Sequence, residues 1–348
     1  MSTSRVQDLF IHLAGQDDNL GDSALRLAYL NALRGPGRRV HIYFGASTPD
    51  YESGFALTRS DRVYTARAEW LAAGEAGRRP VHFFNAGEIN PPAGLFPNVR
   101  RTEELRRVVD AGAPFVAAGF GMKDPSKASV VEFDSVLREA AVISWRDELS
   151  RHAAGFGDVT PDWAYSLGTS TSDWASADAR PLLAVTLRFD RPWPGAEWIE
   201  AVRALAAQTS TRIVTVAQVA RDAPRAVRLA KELGGEYLMP RSMDHAALDR
   251  YARRIFGQSR VVVSDRAHGL IIAASEGAYP IGSAGDPQKI HRLLATAGLG
   301  DLVGRYDELP GFSARLNDHL DRLAPAVEDA RRRISGLTTR IHEVMDTA

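Results

Sequence analysis

An arginine and a histidine stand two residues apart in the stretch Ser264-Asp265-Arg266-Ala267-His268-Gly269. The guanidinium of Arg266 offers a fixed fork of N–H donors that fits a carboxylate or a phosphate. The imidazole of His268 can carry or release a proton near neutral pH, which favours an active-site role over that of a core histidine. For Arg266, a structural ion pair is the alternative to a ligand contact. The stretch therefore predicts an anionic substrate.

The elements around this stretch are predicted to be a buried strand followed by a helix. Val261, Val262 and Val263 form a β-branched run, and residues 269–276 are small enough for a closely packed helix. A turn at the carboxyl end of a parallel strand is where open α/β sheets hold ligands, and free N–H groups at a helix start attract anions. Arg266 and His268 are expected at that position.

The whole chain alternates apolar runs with segments of helical period, which is typical of stacked βαβ units. We expect an α/β fold with two Rossmann-like domains facing across a cleft (GT-B-like) and carboxyl-terminal helices. A polar stretch at residues 169–178 marks the linker. The predicted domains are residues 1–170, residues 180–312 and, for the carboxyl-terminal helices, residues 313–348. Pro325 is expected to start a second terminal helix or to kink one long helix.

The composition excludes several classes of protein. Apolar residues make up 45% and charged residues 25% of the 348, as in globular proteins, and 43 basic residues balance 43 acidic ones, so nucleic acid is not an expected partner. The chain has no cysteine and shows neither a signal peptide nor a membrane span, so a cytoplasmic location is expected. The composition decides neither whether the protein contacts a membrane surface nor whether it forms a homo-oligomer. No metal-ligand spacing or cofactor motif is found, so neither is predicted.

Polar residues that follow other predicted strands are further candidates. Asn19 and Asp22 lie in the loop after the first strand, where they could cap a helix, hold acceptor hydroxyls or, for Asp22, act as a base. Arg188 follows the strand 182–187 and could supply a second basic contact. Asn85 ends the predicted strand 81–85, and Glu88 and Asn90, which follow it, could line the same cleft.

Short motifs in a fixed order resemble those of the polysaccharide pyruvyl transferase family. They are Asn19-Leu20-Gly21-Asp22, Arg146-Asp147-Glu148-Leu149-Ser150, Thr160-Pro161-Asp162 and Ser264-Asp265-Arg266-Ala267-His268-Gly269. Their order and approximate spacing match over residues 9 to about 285. One departure is Asn85-Ala86-Gly87, where such proteins often carry a glycine-rich triplet.

The resemblance implies a GT-B-like enzyme that moves pyruvate from phosphoenolpyruvate onto a sugar of a cell-envelope or exopolysaccharide unit, forming a ketal. It implies that the amino-terminal domain binds the acceptor, which is a sugar or a lipid-linked saccharide, and that the other domain binds the donor. For a lipid-linked acceptor, work at the inner membrane face is expected. The expected catalytic residues are His268, Arg266 and Asp22. The expected substrate-binding residues are Asn19, Arg188, Ser264, Gly269, Asn85 and Glu88.

Some assignments stay open at this point. His268 either binds and protonates the departing phosphate or activates the sugar hydroxyl, and the residue that protonates carbon 3 of the donor is Asp22, Glu88 or His268. A glycosyltransferase that uses a nucleotide sugar is one alternative to the pyruvyl transferase. A non-catalytic glycan-binding protein is the other.

Overall fold

The computed structural model describes residues 6–91 and 93–348 and contains two compact units. The first unit comprises residues 1–17, 25–163 and 333–348, and the second comprises residues 18–24 and 164–332. The sequence analysis predicted no signal peptide at the amino terminus, and residues 1–5 of that segment lie outside the described residues.

The units differ from the predicted domain boundaries in two places. Residues 18–24 group with the second unit, because Leu20 and Ala24 join its apolar core. The chain after residue 312 is divided between the units at Arg333, so it does not form a part of its own. Both differences arise from packing between residues far apart in sequence.

The first unit is built on a parallel sheet. Its strands are β1 (Gln7–His12), β2 (Arg38–Tyr43), β3 (Asp61–Tyr64), β4 (Val81–Phe83), β5 (Gly87–Ile89), β6 (Gly94–Phe96), β7 (Phe115–Met122), β8 (Val131–Phe133), β9 (Val142–Trp145) and β10 (Asp158–Val159). The sheet order is β10-β9-β7-β4-β1-β2-β3, with β5 beside β7, while β6 and β8 form a separate pair. The chain reverses its direction of travel across this sheet between β1 and β4.

The second unit repeats the Rossmann-like pattern. Its strands are β11 (Leu182–Thr186), β12 (Arg212–Thr215), β13 (Glu236–Tyr237), β14 (Ser259–Ser264), β15 (Tyr279–Ala284) and β16 (Val303–Arg305). They pair in parallel in the order β13-β12-β11-β14-β15-β16, which is the 3-2-1-4-5-6 order of dinucleotide-binding folds. The strands β11 and β14 are almost wholly buried, as their apolar sequences predict.

Helices connect most of the strands. They are α1 (Leu20–Leu33), α2 (Pro49–Ser53), α3 (Arg67–Glu75), α4 (Val99–Asp110), α5 (Glu148–Ala154), α6 (Ala196–Gln208), α7 (Ala223–Leu233), α8 (His245–Gly257), α9 (Ala267–Ser275), α10 (Gln288–Ala295) and α11 (Leu309–Thr347). The last helix runs through Pro325, so a separate second terminal helix is not present. Buried Leu323 and Val327 continue the apolar face on both sides of the proline.

No helix within the described residues combines the length and the apolar character needed to cross a bilayer.

The stretch Gly119-Phe120-Gly121 resembles the first half of a dinucleotide-binding motif. The structure gives a different reason for the first of its glycines. Gly119 lies at an irregularity of β7, between Ala118 and Phe120, and its φ is +78°. A Cβ atom there would lie 2.3 Å from the indole of Trp163. The glycine therefore serves backbone geometry and packing.

We predict that Gly119→Ala lowers the free energy of unfolding by about 2–5 kcal/mol, because left-handed strain and a collision with Trp163 add together. Gly112→Ala is the matched control, since Gly112 has a φ of +72° but, apart from its chain neighbours, no atom of the described residues lies within 4 Å of its Cβ position. The control should lose about 1–2 kcal/mol, from strain alone. Chemical denaturation of both variants measures the difference, and equal losses would contradict the packing argument.

Candidate functional site

A cavity of about 330 Å³ lies in the second unit at the carboxyl ends of β12, β11, β14 and β15. We call it the second-unit cavity. Its lining residues follow those strands: Gln218 after β12, Arg188 after β11, Asp265 after β14 and Gly285 after β15. The strand order reverses between β11 and β14, which is where open α/β sheets bind ligands. A cavity is thus present at the predicted turn, and its role as the substrate site stays a prediction.

Arg266 is held by a buried carboxylate. Its Nε and Nη2 atoms donate to the two carboxylate oxygens of Asp222 at 2.6 and 2.7 Å. Asp222 is fully buried and also accepts the N–H of Phe189 at 3.0 Å. Among the described residues, the Nη1 atom of Arg266 has no hydrogen bond, and Arg266 lines the cavity. Arg266 can therefore form the structural ion pair and contact a ligand at the same time, so the two interpretations of the sequence do not exclude each other.

Asp265 is a cavity residue that the sequence analysis did not single out. Its Oδ1 accepts the N–H of Arg188 at 2.7 Å, and its Oδ2 accepts the hydroxyl of Tyr306 at 3.4 Å. Burial raises the pKa of Asp265 to about 6, although the Arg188 N–H and the charge of Arg266 oppose the shift. A carboxyl group with such a pKa can exchange a proton near neutral pH. The feature of the sequence that could have identified Asp265 as a site residue is its position directly after β14 and directly before Arg266.

His268 is the second residue of α9 and lines the cavity beside Arg266. A Cβ atom on Gly21 would lie 2.4 Å from its Nδ1 atom, so the backbone at the start of α1 packs directly on the imidazole. The glycine of Asn19-Leu20-Gly21-Asp22 is thus required by the histidine of the distant turn. Two of the motifs found in the sequence meet at this contact.

Asn19 lines the same cavity, whereas Asp22 is not among its lining residues. The side chain of Asn19 accepts the N–H of Gly21 at 3.1 Å and donates to the carboxylate of Asp22 at 3.2 Å. Asp22 lies in the first turn of α1. The capping interpretation of Asn19 is therefore confirmed, and the role of Asp22 as a base stays a prediction.

Further cationic side chains line the cavity. Arg188 lines it and forms a bidentate pair with Asp190 at 2.9 and 2.7 Å. Arg191 and Lys289 also line it, and neither was singled out from the sequence. Arg191 follows the same strand as Arg188, whereas Lys289 comes from α10, whose position only the strand order reveals.

Ser264 and Gly269 shape the cavity without lining it. The hydroxyl of Ser264 accepts the N–H of Arg266 at 2.9 Å, which fixes the turn. A Cβ atom on Gly269 would lie 2.9 Å from the amide of Gln218, which is 3% exposed and lines the cavity. The Nε2 atom of Gln218 is buried and has no hydrogen-bond partner among the described residues, so it is a donor left for a ligand.

Asn85 and Glu88 lie elsewhere, in the first unit. They line a cavity of about 540 Å³, which we call the first-unit cavity. Asn85 accepts from the Nε of Arg26 at 2.9 Å and donates to the carbonyl of Ala14 at 2.7 Å. Glu88 lies 4.0 Å from a guanidinium nitrogen of Arg146. The predicted site residues are therefore distributed over two cavities, one in each unit.

The family model for polysaccharide pyruvyl transferases matches residues 19–287. The chain belongs to the polysaccharide pyruvyl transferase family. It is accordingly a transferase of polysaccharide biosynthesis, as the motifs indicated. No curated protein sequence matches it.

Solved structures of the same fold share little sequence with this family member. HepE of Anabaena in complex with UDP-glucose aligns with a TM-score of 0.55 at 11% identity, covering 98% of this chain and 100% of that chain. MnaA of S. aureus with UDP aligns with a TM-score of 0.54 at 12% identity, covering 93% of this chain and 91% of that one. These similarities concern the fold, and the predicted GT-B-like class is confirmed.

The family motif Arg146-Asp147-Glu148-Leu149-Ser150 has a structural task in this pyruvyl transferase. Asp147 caps α5 by accepting the N–H and the hydroxyl of Ser150 at 2.8 and 2.7 Å. Arg146 donates to Asp162 at 3.3 Å, and all four of these side chains are buried. This motif therefore organises the first unit.

We predict that Asp222→Ala lowers the free energy of unfolding by about 3–5 kcal/mol, because it leaves the Arg266 guanidinium buried without its counter-ion. Asp190→Ala is the matched control, since it removes an equally bidentate but exposed partner of Arg188 and should cost about 0–1 kcal/mol. Thermal and chemical unfolding of the two variants test this. A loss no greater for Asp222→Ala than for Asp190→Ala would show that the buried pair does not hold the site together.

Proposed function

We propose that this transferase moves pyruvate from phosphoenolpyruvate to a pair of hydroxyls on a sugar, forming a ketal. The observation that carries the proposal is the second-unit cavity, where Arg266, His268 and Lys289 gather at the start of α9. Within the part of the chain that the structure describes, no side chain caps the amino terminus of α9, so its first N–H groups suit an anion. Phosphoenolpyruvate carries a carboxylate and a phosphate, which need fixed donors of this kind.

Within the cavity, we assign the phosphate to the start of α9 and to Lys289, beside His268. The carboxylate is assigned to the Nη1 atom of Arg266 and to Arg191. Because Asp222 holds the other side of the Arg266 guanidinium, this donor is oriented before the substrate arrives. Such preorganisation is what makes electrostatic stabilisation effective in a transition state.

The reaction begins when carbon 3 of the enol gains a proton, which leaves positive charge at carbon 2. One sugar hydroxyl attacks carbon 2 and loses its proton. The C–O bond to phosphate then breaks, and His268 donates a proton to the departing phosphate. The second hydroxyl attacks carbon 2, loses its proton and closes the ketal. Orientation of the donor supplies most of the acceleration.

Asp265 is our candidate for the proton that carbon 3 receives. It lines the cavity next to Arg266, and its carboxyl is anchored by the N–H of Arg188 and by Tyr306. Of the earlier candidates, Asp22 does not line the second-unit cavity and Glu88 lines the first-unit cavity. Asp265 is therefore placed where the donor is proposed to bind.

Release of inorganic phosphate from phosphoenolpyruvate tests the function. We expect release with at least one acceptor among galactose, mannose, N-acetylmannosamine and glucuronate, together with a product that has gained pyruvate. For a lipid-linked acceptor, we expect the same reaction at the inner membrane face. His268→Ala should lower kcat by about 10²–10⁴-fold, since it removes the proton donor to phosphate. Full turnover by this variant would reject that role, and absence of release with every acceptor would reject the function.

The pH dependence tests Asp265 separately. As the acid it must be protonated, so kcat/KM is expected to fall about tenfold per pH unit once the pH rises above the Asp265 pKa of about 6. Asp265→Asn should remove this limb of the profile and lower the rate at pH 6. A wild-type rate that is constant or rising between about pH 5 and pH 8 would contradict the assignment.

A further inference from the structure

We propose that the first-unit cavity binds the acceptor through an anionic group that the acceptor sugar carries, a carboxylate or a phosphate. Its lining includes the arginines Arg67, Arg100 and Arg101. The identification of its ligand as the acceptor rests on the proposed function. The charge of that ligand follows from the cavity itself, because three arginines line it against one carboxylate, Glu88.

The position of this cavity matches that of the second-unit cavity in the other sheet. His12 and Tyr43 end β1 and β2, and Phe84 and Asn85 directly follow β4. The strand order reverses between β1 and β4, so the cavity lies at the switch point of the first unit. Asn98, the residue that caps α4, lines it as well, so the amino terminus of α4 adds a partial positive charge.

The arginines outnumber the carboxylate that they share. Nitrogen atoms of Arg101 and Arg100 lie 3.0 and 3.6 Å from Glu104, and Arg67 donates to it through Nε at 3.0 Å. Three guanidinium groups thus meet one carboxylate. Among the described residues, the Nε and Nη2 atoms of Arg101 make no hydrogen bond. The cluster has donors left for a second anion.

Burial and the positive charge of the arginines act together on two histidines. The pKa of His12, which lines the cavity, falls to about 3 through burial and the charges of Arg101, Arg67 and Arg26. The pKa of His82 falls to about 4 through burial and the charge of Arg101. His12 is therefore neutral near pH 7 and can hydrogen-bond a sugar hydroxyl without adding charge.

The remaining lining suits a sugar ring. Tyr43, Phe84 and Phe96 supply aromatic surface, and Asn85 supplies an amide whose orientation is fixed by its two hydrogen bonds. Aromatic surface with a few fixed polar groups is typical of small-molecule sites, and about 540 Å³ accommodates a saccharide. The ligand chemistry is therefore a sugar with an attached anion.

Matched sugars test the inference. Galactose is neutral, galacturonate carries a carboxylate, and galactose 1-phosphate carries a phosphate. A comparison of the two charged sugars therefore distinguishes a carboxylate site from a phosphate site. Isothermal titration of each into the whole protein should show at least about tenfold tighter binding of one anionic sugar than of galactose, as one charge-assisted contact supplies. The same sugar should be the better acceptor in the phosphate-release assay.

Variants localise the effect. Arg100→Ala removes an exposed guanidinium of the cavity, and Arg101→Gln removes a partly buried one. Each variant should bind the anionic sugar about fivefold more weakly or worse, and its affinity for galactose should be unchanged. Arg107→Ala is the control, because Arg107 lies in the last turn of the same helix and does not line this cavity. If Arg101→Gln fails to fold, Arg100→Ala still decides the test.

The outcomes separate this inference from the proposed function. Equal binding and equal turnover of neutral and anionic sugars, or an equal loss in Arg107→Ala, would overturn the inference while phosphate release upholds the function. Tight binding of galacturonate that depends on Arg100, without phosphate release from phosphoenolpyruvate by any acceptor, would overturn the acceptor role and the proposed function together.

Discussion

The buried pair between Asp222 and Arg266 is the interaction on which the site of the second unit depends. A guanidinium at a strand end is normally mobile and hydrated, whereas here both of its bonds run to a carboxylate that water does not reach. The cost of burying two charges is offset only because the geometry is bidentate and Asp222 accepts a further N–H from Phe189. The consequence is a donor whose direction is set before any ligand binds.

A second constraint joins distant parts of the chain. His268 has its place because Gly21 leaves no side chain in the way, so the first turns of α1 and α9 have to be compatible with each other. In the same manner Gly269 leaves room for the amide of Gln218. Glycines of the family motifs therefore act by admitting a neighbouring functional side chain, in addition to shaping the turn.

The sequence was sufficient to predict those features that depend on short stretches of neighbouring residues. The β-branched run 261–263 before small residues predicted the turn between β14 and α9, and the motifs identified the family and placed Arg266 and His268 in one site. What depends on strand order was not predictable from local pattern. Asp222 and Lys289 are far from Arg266 in sequence, and the parallel order of β12, β11, β14 and β15 brings them together. The strand β15 itself escaped prediction because Pro280 and Gly282 are typical of turns.

Each unit thus presents a cavity at the switch point of its own sheet, and the two differ in chemistry. The second-unit cavity has a carboxyl with a raised pKa and a guanidinium held by Asp222. The first-unit cavity has three arginines, a neutral histidine, one carboxylate and aromatic rings. The central claim is that the second-unit cavity binds phosphoenolpyruvate. Calorimetric titration of phosphoenolpyruvate and of uridine diphosphate into the protein, repeated with Arg266→Gln, tests it most directly. The account predicts that phosphoenolpyruvate binds, that uridine diphosphate does not displace it, and that the variant loses the affinity. Binding of uridine diphosphate alone, or unchanged affinity for phosphoenolpyruvate in the variant, would contradict it.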